Sequence, residues 1–141
     1  MPISRRQQVW DRARSCCEYC QLPQAHDPRP FHLDHIRPQK HDGPTIIENL
    51  ALSCAACSLF KGPNPAGYDP ETDILHPLFN PRTDVWTDHF AWDGSTLEGL
   101  TPIGRTTIHV LRINDHLRVL HRDVLIELGE FPPDFGSDTN S

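Results

Sequence analysis

Four of the five cysteines form two pairs with the same spacing. Two residues separate Cys17 from Cys20, and two residues separate Cys54 from Cys57. Two such turns supply the four thiolates of a closed tetrahedral metal site. An odd number of cysteines argues against a disulfide framework, so Cys16 is expected to pack as a small apolar residue. The spacing therefore predicts a structural metal centre, with zinc as the expected ion and iron as the alternative.

An acidic residue and a histidine stand side by side between the two cysteine pairs. Asp34 and His35 end a strand-like run at residues 31–36, and Asn49 comes before the second pair. A histidine beside a metal-binding carboxylate suits general-base catalysis, since a metal ion can neutralise a phosphate while the imidazole takes a proton from water. The alternative is that Asp34 caps a turn and His35 is an ordinary surface side chain. The dipeptide alone leaves both interpretations open.

In their order along the chain, these motifs resemble the HNH endonuclease family. The corresponding segments are CEYC at 17–20, FHLDHI at 31–36, ENLALSC at 48–54 and CSLFKG at 57–62, within a resemblance that covers about residues 5–63. The resemblance implies the ββα-metal fold, in which a β-hairpin and a helix grip one catalytic divalent ion. It also implies an endonuclease that hydrolyses nucleic-acid phosphodiester bonds, with DNA as the expected substrate.

The resemblance also implies roles for individual residues. Asp34 would bind the catalytic ion, which is expected to be Mg²⁺ or Mn²⁺. His35 would be the general base that activates a water molecule. Asn49 would orient His35 by hydrogen bonding to the loop that follows it.

Position 58 departs from the family pattern. Ser58 stands where the family has Asn or His, and a neutral hydroxyl is a weak metal ligand. It could hold the ion through a water, because Mg²⁺ keeps much of its hydration shell. Alternatively His41 would substitute as a ligand, with His76 and His89 as more distant candidates. The departure leaves open a nucleic-acid-binding module of the same fold with weakened cleavage, and a purely structural zinc-knuckle interaction protein is the third alternative.

The distribution of charge favours nucleic-acid contacts in the N-terminal half. The net charge of −6 disfavours non-specific coating of nucleic acid. Residues 1–63 nevertheless hold eight basic and six acidic side chains, against five basic and thirteen acidic in residues 64–141. We expect three basic side chains to contact double-stranded DNA, although each could also be a solvated surface charge. They are Lys61, Arg37 and Lys40.

The elements that must position these residues belong to the α+β class. Ser4 is expected to cap a first helix, and Gly62 to end a short helix after the second cysteine pair. The run 63–82 is rich in proline, which predicts an extended connection without regular structure. Asp93-Gly94 predicts the turn of a β-hairpin, and two helices are expected to follow it.

These elements predict one core with an extension and a tail. The HNH core with its zinc knuckles is expected at 1–63, the connection, hairpin and two packed helices at 64–129, and a disordered tail at 130–141. Apolar residues at helical spacing in the last helix are expected to lie in the core: Leu117, Leu120, Val124 and Leu128. The sequence has neither a long apolar run nor a signal peptide, so a cytoplasmic location without membrane contact is expected.

Overall fold

The computed structural model describes residues 3–135 and shows a mixed α and β architecture. Its helices are α1 (Arg5–Arg12), α2 (Ala55–Lys61), α3 (Trp86–His89), α4 (Pro102–Val110) and α5 (His116–Glu127). Its strands are β1 (His32–His35), β2 (Leu50–Ser53), β3 (Ala66–Tyr68), β4 (Leu75–Pro77), β5 (Phe90–Asp93) and β6 (Thr96–Gly99). The strands pair antiparallel in three separate sheets, β1–β2, β3–β4 and β5–β6. Within residues 3–135, none of the helices combines the length and apolar character that a membrane crossing requires.

The N-terminal part contains the predicted succession of strand, strand and helix. In the sheet of β1 and β2, His32 lies opposite Ser53 and His35 lies opposite Leu50. All four residues of β2 are buried, whereas β1 is only partly covered. Only Cys54 separates the end of β2 from the start of α2. The predicted α+β class and its ββα core are confirmed.

Local hydrogen bonds explain where the first two helices begin and end. The Ser4 hydroxyl accepts a hydrogen bond of 3.1 Å from the Gln7 backbone N–H, which satisfies one of the unpaired donors of the first turn of α1. Cys54 caps α2 in the same way, since its Sγ accepts from the Cys57 backbone N–H at 3.4 Å. Gly62 follows α2 with a φ of +52°, a backbone conformation that favours glycine.

The C-terminal extension lies against the first cysteine turn, residues 17–20. The indole N–H of Trp86 donates to the Tyr19 carbonyl at 2.9 Å, and that of Trp92 donates to Gln21 Oε1 at 2.8 Å. These bonds join α3 and β5 to the segment that carries two of the predicted metal ligands. The predicted boundary between core and extension stays a prediction.

The prediction that residues 63–82 have no regular structure is wrong. The strands β3 and β4 in this segment form an antiparallel pair. Its prolines lie where a missing N–H does little harm: Pro65 precedes β3, Pro70 lies in the turn and Pro77 ends β4. The segment also contributes to the core, because Phe79 is buried after β4.

The apolar stripe of α5 that was predicted to lie in the core faces solvent instead. Its four members are between 45% and 72% exposed: Leu117, Leu120, Val124 and Leu128. The buried side chains of α5 are Arg122 and Leu125. Arg122 faces inward because its guanidinium donates to the carbonyls of Ser95 and Ile113, both at 2.8 Å. The helical spacing was therefore right and the assigned face was wrong.

The start of the predicted tail is packed against the extension. Phe131 is buried, and its ring meets the ring of Trp92 edge to face with 5.0 Å between the centroids. An aromatic side chain gains enough from burial to anchor a short terminal segment, so Phe131 departs from the expected disorder. Residues 136–141 of that prediction lie outside the described residues.

Candidate metal centre and active site

The structure brings the four predicted cysteine ligands together in one buried cluster. The Sγ atoms of Cys17, Cys20, Cys54 and Cys57 all lie within 4.8 Å of one another, and each residue is at most 1% exposed. The sulfurs of Cys20 and Cys54 are 3.7 Å apart. Zinc bonded tetrahedrally at about 2.3 Å to each sulfur requires a sulfur separation of about 3.8 Å. The cluster can therefore hold a metal ion such as zinc.

The surroundings of the cluster favour thiolates bound to a cation. Cys17 Sγ accepts from the Cys20 backbone N–H at 3.5 Å, which matches the bond that caps α2 in the second turn. Burial raises the pKa of Cys57 well above its usual value, so a proton leaves this site readily only when a positive charge replaces it. Cys16 stands outside the cluster, and burial raises the pKa of its thiol to about 11.

An arginine that the motifs do not predict also reaches the cluster. Arg118, on α5, donates from Nη2 to Cys57 Sγ at 3.0 Å. Its only sequence signal is a position in a predicted helix, which many arginines share.

The Asp-His pair lies at the end of β1, and the histidine ring is held by a loop hydroxyl. His35 Nε2 is 2.8 Å from Thr45 Oγ1, and the same oxygen accepts a bond of 3.4 Å from Gln39 Nε2. A ring nitrogen engaged in this way fixes the orientation of the imidazole and directs Nδ1 elsewhere. Thr45 was missed from the sequence, since a single threonine in a loop gives no signal of such a role.

Asn49 closes the loop that begins immediately after His35. Its Oδ1 accepts from the Arg37 backbone N–H at 2.8 Å, and its Nδ2 donates to the carbonyls of Arg37 at 3.0 Å and Pro44 at 2.9 Å. The Ile36 backbone N–H donates to the Asn49 carbonyl at 2.8 Å. This amide is used on both its donor and its acceptor side. The expected orienting role of Asn49 stays a prediction.

Lys61 is placed differently from the phosphate contact that we expected. Its side chain is 2% exposed, and its Nζ lies 3.1 Å from Asp34 Oδ2 and donates to the His35 carbonyl at 3.0 Å. Burial raises the pKa of Asp34, while the Lys61 ammonium opposes that rise. Because the C-terminal end of α2 packs on β1, the ammonium serves as an internal partner of the carboxylate.

The other predicted contributors surround the site less closely. Ser58 is partly exposed one turn before Lys61 on α2, and His41 and Lys40 are exposed in the loop after β1. The Arg37 side chain is engaged locally, since its Nε donates to the His41 carbonyl at 2.7 Å. Of the more distant candidates, His76 lies in β4, and the His89 ring bonds Thr101 at 2.5 Å in the extension.

The fit of a catalytic ion depends on a single carboxylate. Within residues 3–135, the four-cysteine cluster is the one group of three or more metal-type side chains. Mg²⁺ is commonly held by one or two carboxylates, waters and substrate phosphate oxygens, so Asp34 alone is compatible with it.

A shallow cavity opens over the Asp-His pair. Its volume is about 280 Å³, and Asp34, His35 and Lys40 are among the residues that line it. A larger groove of about 1030 Å³ runs between the β3–β4 sheet and α4, and none of the predicted catalytic residues lines it. The chemistry of the side chains, rather than the size of the cavity, identifies the smaller one as the candidate active site.

Comparisons with known proteins point to the same part of the chain. Residues 17–62 match the family model described as HNH endonuclease. The chain is similar to the Septu protein PtuB of Bacillus thuringiensis, with 26% identity over 113 residues. This alignment covers 78% of the chain and 41% of the relative, so the chain spans about two fifths of that relative's length. No solved structure matches the chain.

Proposed function

We propose that the protein, whose residues 17–62 match the family model described as HNH endonuclease, is a metal-dependent endonuclease that cleaves DNA. Domains of this family act on nucleic acids and are generally nucleases. The finer proposal concerns the substrate, the ions and the residues. It is supported by the side chains at the end of β1.

The observation that carries the proposal is the fixed histidine beside a carboxylate at an open cavity. Thr45 holds Nε2 of His35, and Asn49 closes the loop behind it. In this orientation Nδ1 of His35 would take a proton from the attacking water. Asp34 would hold Mg²⁺ or Mn²⁺, and such an ion supplies charge neutralisation at the scissile phosphate.

The proposal gives the two cation sites different tasks. The four cysteines would hold a zinc ion that stabilises the fold, since all four ligand positions are filled by protein. The carboxylate at β1 would hold the second ion near solvent and substrate. Arg37 and Lys40, both exposed, would contact the phosphates of double-stranded DNA beside the cavity.

A plasmid-nicking assay with His35→Ala tests the proposal. Zinc-loaded native protein should convert supercoiled plasmid to the nicked form in Mg²⁺ or Mn²⁺ and not in EDTA. Loss of a positioned general base costs about 10²- to 10⁴-fold in rate, and His35→Ala should show such a loss with unchanged zinc content. His109→Ala, a change of an exposed histidine on α4 away from this cavity, is the control. Equal cleavage by native protein and His35→Ala would exclude the assigned base.

A second candidate function is nucleic-acid binding with weak or no cleavage. It is favoured by Ser58 at the position of a family ligand and by Lys61, which already neutralises Asp34. Ser58→Asn separates the candidates, because an amide oxygen is a better ligand for a hard cation than a neutral hydroxyl. For a weakened nuclease, this variant should lower the Mg²⁺ concentration needed for half-maximal cleavage. If neither protein cuts DNA in any divalent ion yet both bind it, the binding function is the better description.

A further inference from the structure

The four-cysteine centre receives a charged contact from outside the HNH domain. Arg118 Nη2 donates to Cys57 Sγ at 3.0 Å and lies 3.9 Å from Cys54 Sγ. Residue 118 belongs to α5, well beyond the matched segment 17–62. The metal centre is therefore completed by two parts of the chain that are distant in sequence.

The charge of the metal-loaded four-cysteine centre explains why the Arg118 guanidinium lies beside it. Four thiolates around one divalent ion carry a net charge of about −2, and the four cysteines are almost fully buried. A buried net charge costs free energy unless a charged or hydrogen-bonding partner compensates it. The backbone donors of the two cysteine turns are neutral, whereas the Arg118 guanidinium supplies a full positive charge.

Among the residues that the structure describes, no carboxylate competes for the Arg118 guanidinium. None of the ion pairs with carboxylates found within residues 3–135 includes it. The acceptors within reach of its Nη2 are the cysteine sulfurs, Cys57 Sγ at 3.0 Å and Cys54 Sγ at 3.9 Å. The thiolates are thus the counter-ions of this arginine.

Two backbone carbonyls also hold the guanidinium in place. Nη1 donates to the Leu111 carbonyl at 2.7 Å and to the Arg112 carbonyl at 3.2 Å. Both carbonyls belong to the turn between α4 and α5. A donor fixed in this way loses little further side-chain entropy when it bonds sulfur, so its bond is more effective than that of a free surface arginine.

We propose that Arg118 is an outer-sphere residue of the metal centre, whose N–H···S bond stabilises the Cys57 thiolate and slows the loss of the bound ion. The same bond fastens α5 to the centre. The proposal rests on metal binding by the four cysteines and is independent of nuclease activity.

Release of zinc to a chelating dye tests the proposal in three variants. Outer-shell substitutions typically weaken metal binding by 10- to 100-fold, so Arg118→Gln should release zinc at least 10-fold faster than native protein. Arg118→Lys keeps the charge and should fall between the two. Arg112→Gln, an exposed neighbour with no contact to sulfur, should stay within about twofold of native protein. A native release rate in folded Arg118→Gln would overturn the proposal.

A measurement on the native sequence covers the case in which Arg118→Gln does not fold. The protein is loaded with ¹¹³Cd, which binds four thiolates as zinc does, and is examined by proton NMR. A cadmium coupling to a guanidinium proton of Arg118 is expected, since the N–H···S bond transmits it. If the Cys20 and Cys57 amide protons show cadmium coupling and Arg118 does not, the proposal is wrong. Failure of the protein to bind either metal would overturn it as well.

Discussion

A loop hydroxyl sets the position of His35, the proposed general base. Thr45 Oγ1 is 2.8 Å from His35 Nε2, and within residues 3–135 the ring makes no other hydrogen bond. The hydroxyl therefore fixes the rotation of the ring and engages Nε2, which would leave Nδ1 for the attacking water. Thr45 would be a positioning residue, because it acts through His35 and has no contact with the substrate.

Thr45→Val should slow cleavage while leaving the fold intact. Valine keeps the branched shape but removes the hydroxyl, and a neutral hydrogen bond is worth about 1 kcal/mol, which corresponds to roughly 5-fold in rate. We expect that loss in kcat at saturating DNA, with KM and zinc content unchanged. Thr45→Ser retains the hydroxyl and should restore most of the rate. If Thr45→Val cleaves as fast as native protein, the hydroxyl does not position the base.

Sequence reasoning worked for residues whose neighbours along the chain share their role. The cysteine pairs, Asp34-His35 and Asn49 were singled out from short motifs, and the structure brings the four cysteines into one cluster. It did not find Thr45 or Arg118, because each reaches its partner only through tertiary packing. It also expected Lys61 on the surface, whereas packing of α2 on β1 buries it.

At the scale of elements, α5 gives a direct test of which face supports the fold. Leu125 is 5% exposed and Leu117 is 72% exposed, although both lie on the same helix. Leu125→Ala should lower the free energy of unfolding by about 2–4 kcal/mol, since it removes buried methyl groups and leaves a cavity. The matched change Leu117→Ala should alter it by less than about 0.5 kcal/mol. Urea denaturation of zinc-loaded proteins measures both, and equal losses would contradict the observed orientation.

Hydrophobic periodicity predicted α5 as a helix but not the direction of its apolar stripe. The spacing of leucine and valine defines a face, while the partner of that face depends on the rest of the fold. Here Arg118 and Arg122 turn inward because polar partners are available to them inside the fold. Arg118 bonds Cys57 Sγ. Arg122 bonds the Ser95 carbonyl, and its guanidinium lies 5.1 Å from the centre of the Trp92 ring. A polar inner face of this kind is not visible in a hydrophobic pattern.

An ion pair joins the β3–β4 sheet to α4. The Asp69 carboxylate is fully buried and accepts three hydrogen bonds from Arg105. Nε donates to Oδ1 at 3.1 Å and to Oδ2 at 3.2 Å, and Nη2 donates to Oδ2 at 2.8 Å. The carboxylate also accepts from the Glu71 backbone N–H at 2.9 Å. The hydrogen bonds from Arg105, followed by the one from the Glu71 backbone, lower the pKa of Asp69 to about 2.

The depressed pKa predicts a specific loss of stability in acid. Since the carboxyl of an unfolded chain titrates near pH 4, the contribution of Asp69 is complete above about pH 4 and declines as the pH falls towards 2. The melting temperature of native protein should exceed that of Asp69→Asn most at neutral pH, and the difference should shrink through this window. Acid-induced loss of the metal affects both proteins and cancels in the difference. Asp88→Asn, an exposed control, should follow the native curve, and a constant offset for Asp69→Asn would contradict the assignment.

At the scale of the whole molecule, the extension is attached to both cysteine turns. Glu18, between two ligands of the first turn, forms an ion pair with Arg82, and its other oxygen accepts from the Leu52 backbone N–H at 2.8 Å. Trp86 bonds the same turn through the Tyr19 carbonyl. Arg118 on α5 bonds the second turn through Cys57 Sγ. The four-cysteine cluster thus lies where residues 17–62 and the C-terminal extension meet.

Removal of a metal ion bound by the four cysteines should therefore unfold more than residues 17–62. A structural zinc site contributes on the order of 10 kcal/mol to folding, which is comparable with the net stability of a domain of this size. Without the ion, the cysteines are either thiolates that repel one another or neutral thiols, and neither form holds the two turns together. The extension then loses its contacts to both turns. We expect a strong chelator to lower the melting temperature sharply and to change the fluorescence of Trp86 and Trp92, which bond Tyr19 in the first turn and Gln21 next to it. Zinc should reverse both changes and Mg²⁺ should not.

Two outcomes would contradict this prediction. A metal-free protein that melts cooperatively at the native temperature would refute the structural role of the four-cysteine centre. Unfolding of residues 17–62 with unchanged tryptophan fluorescence would refute the link between this centre and the extension.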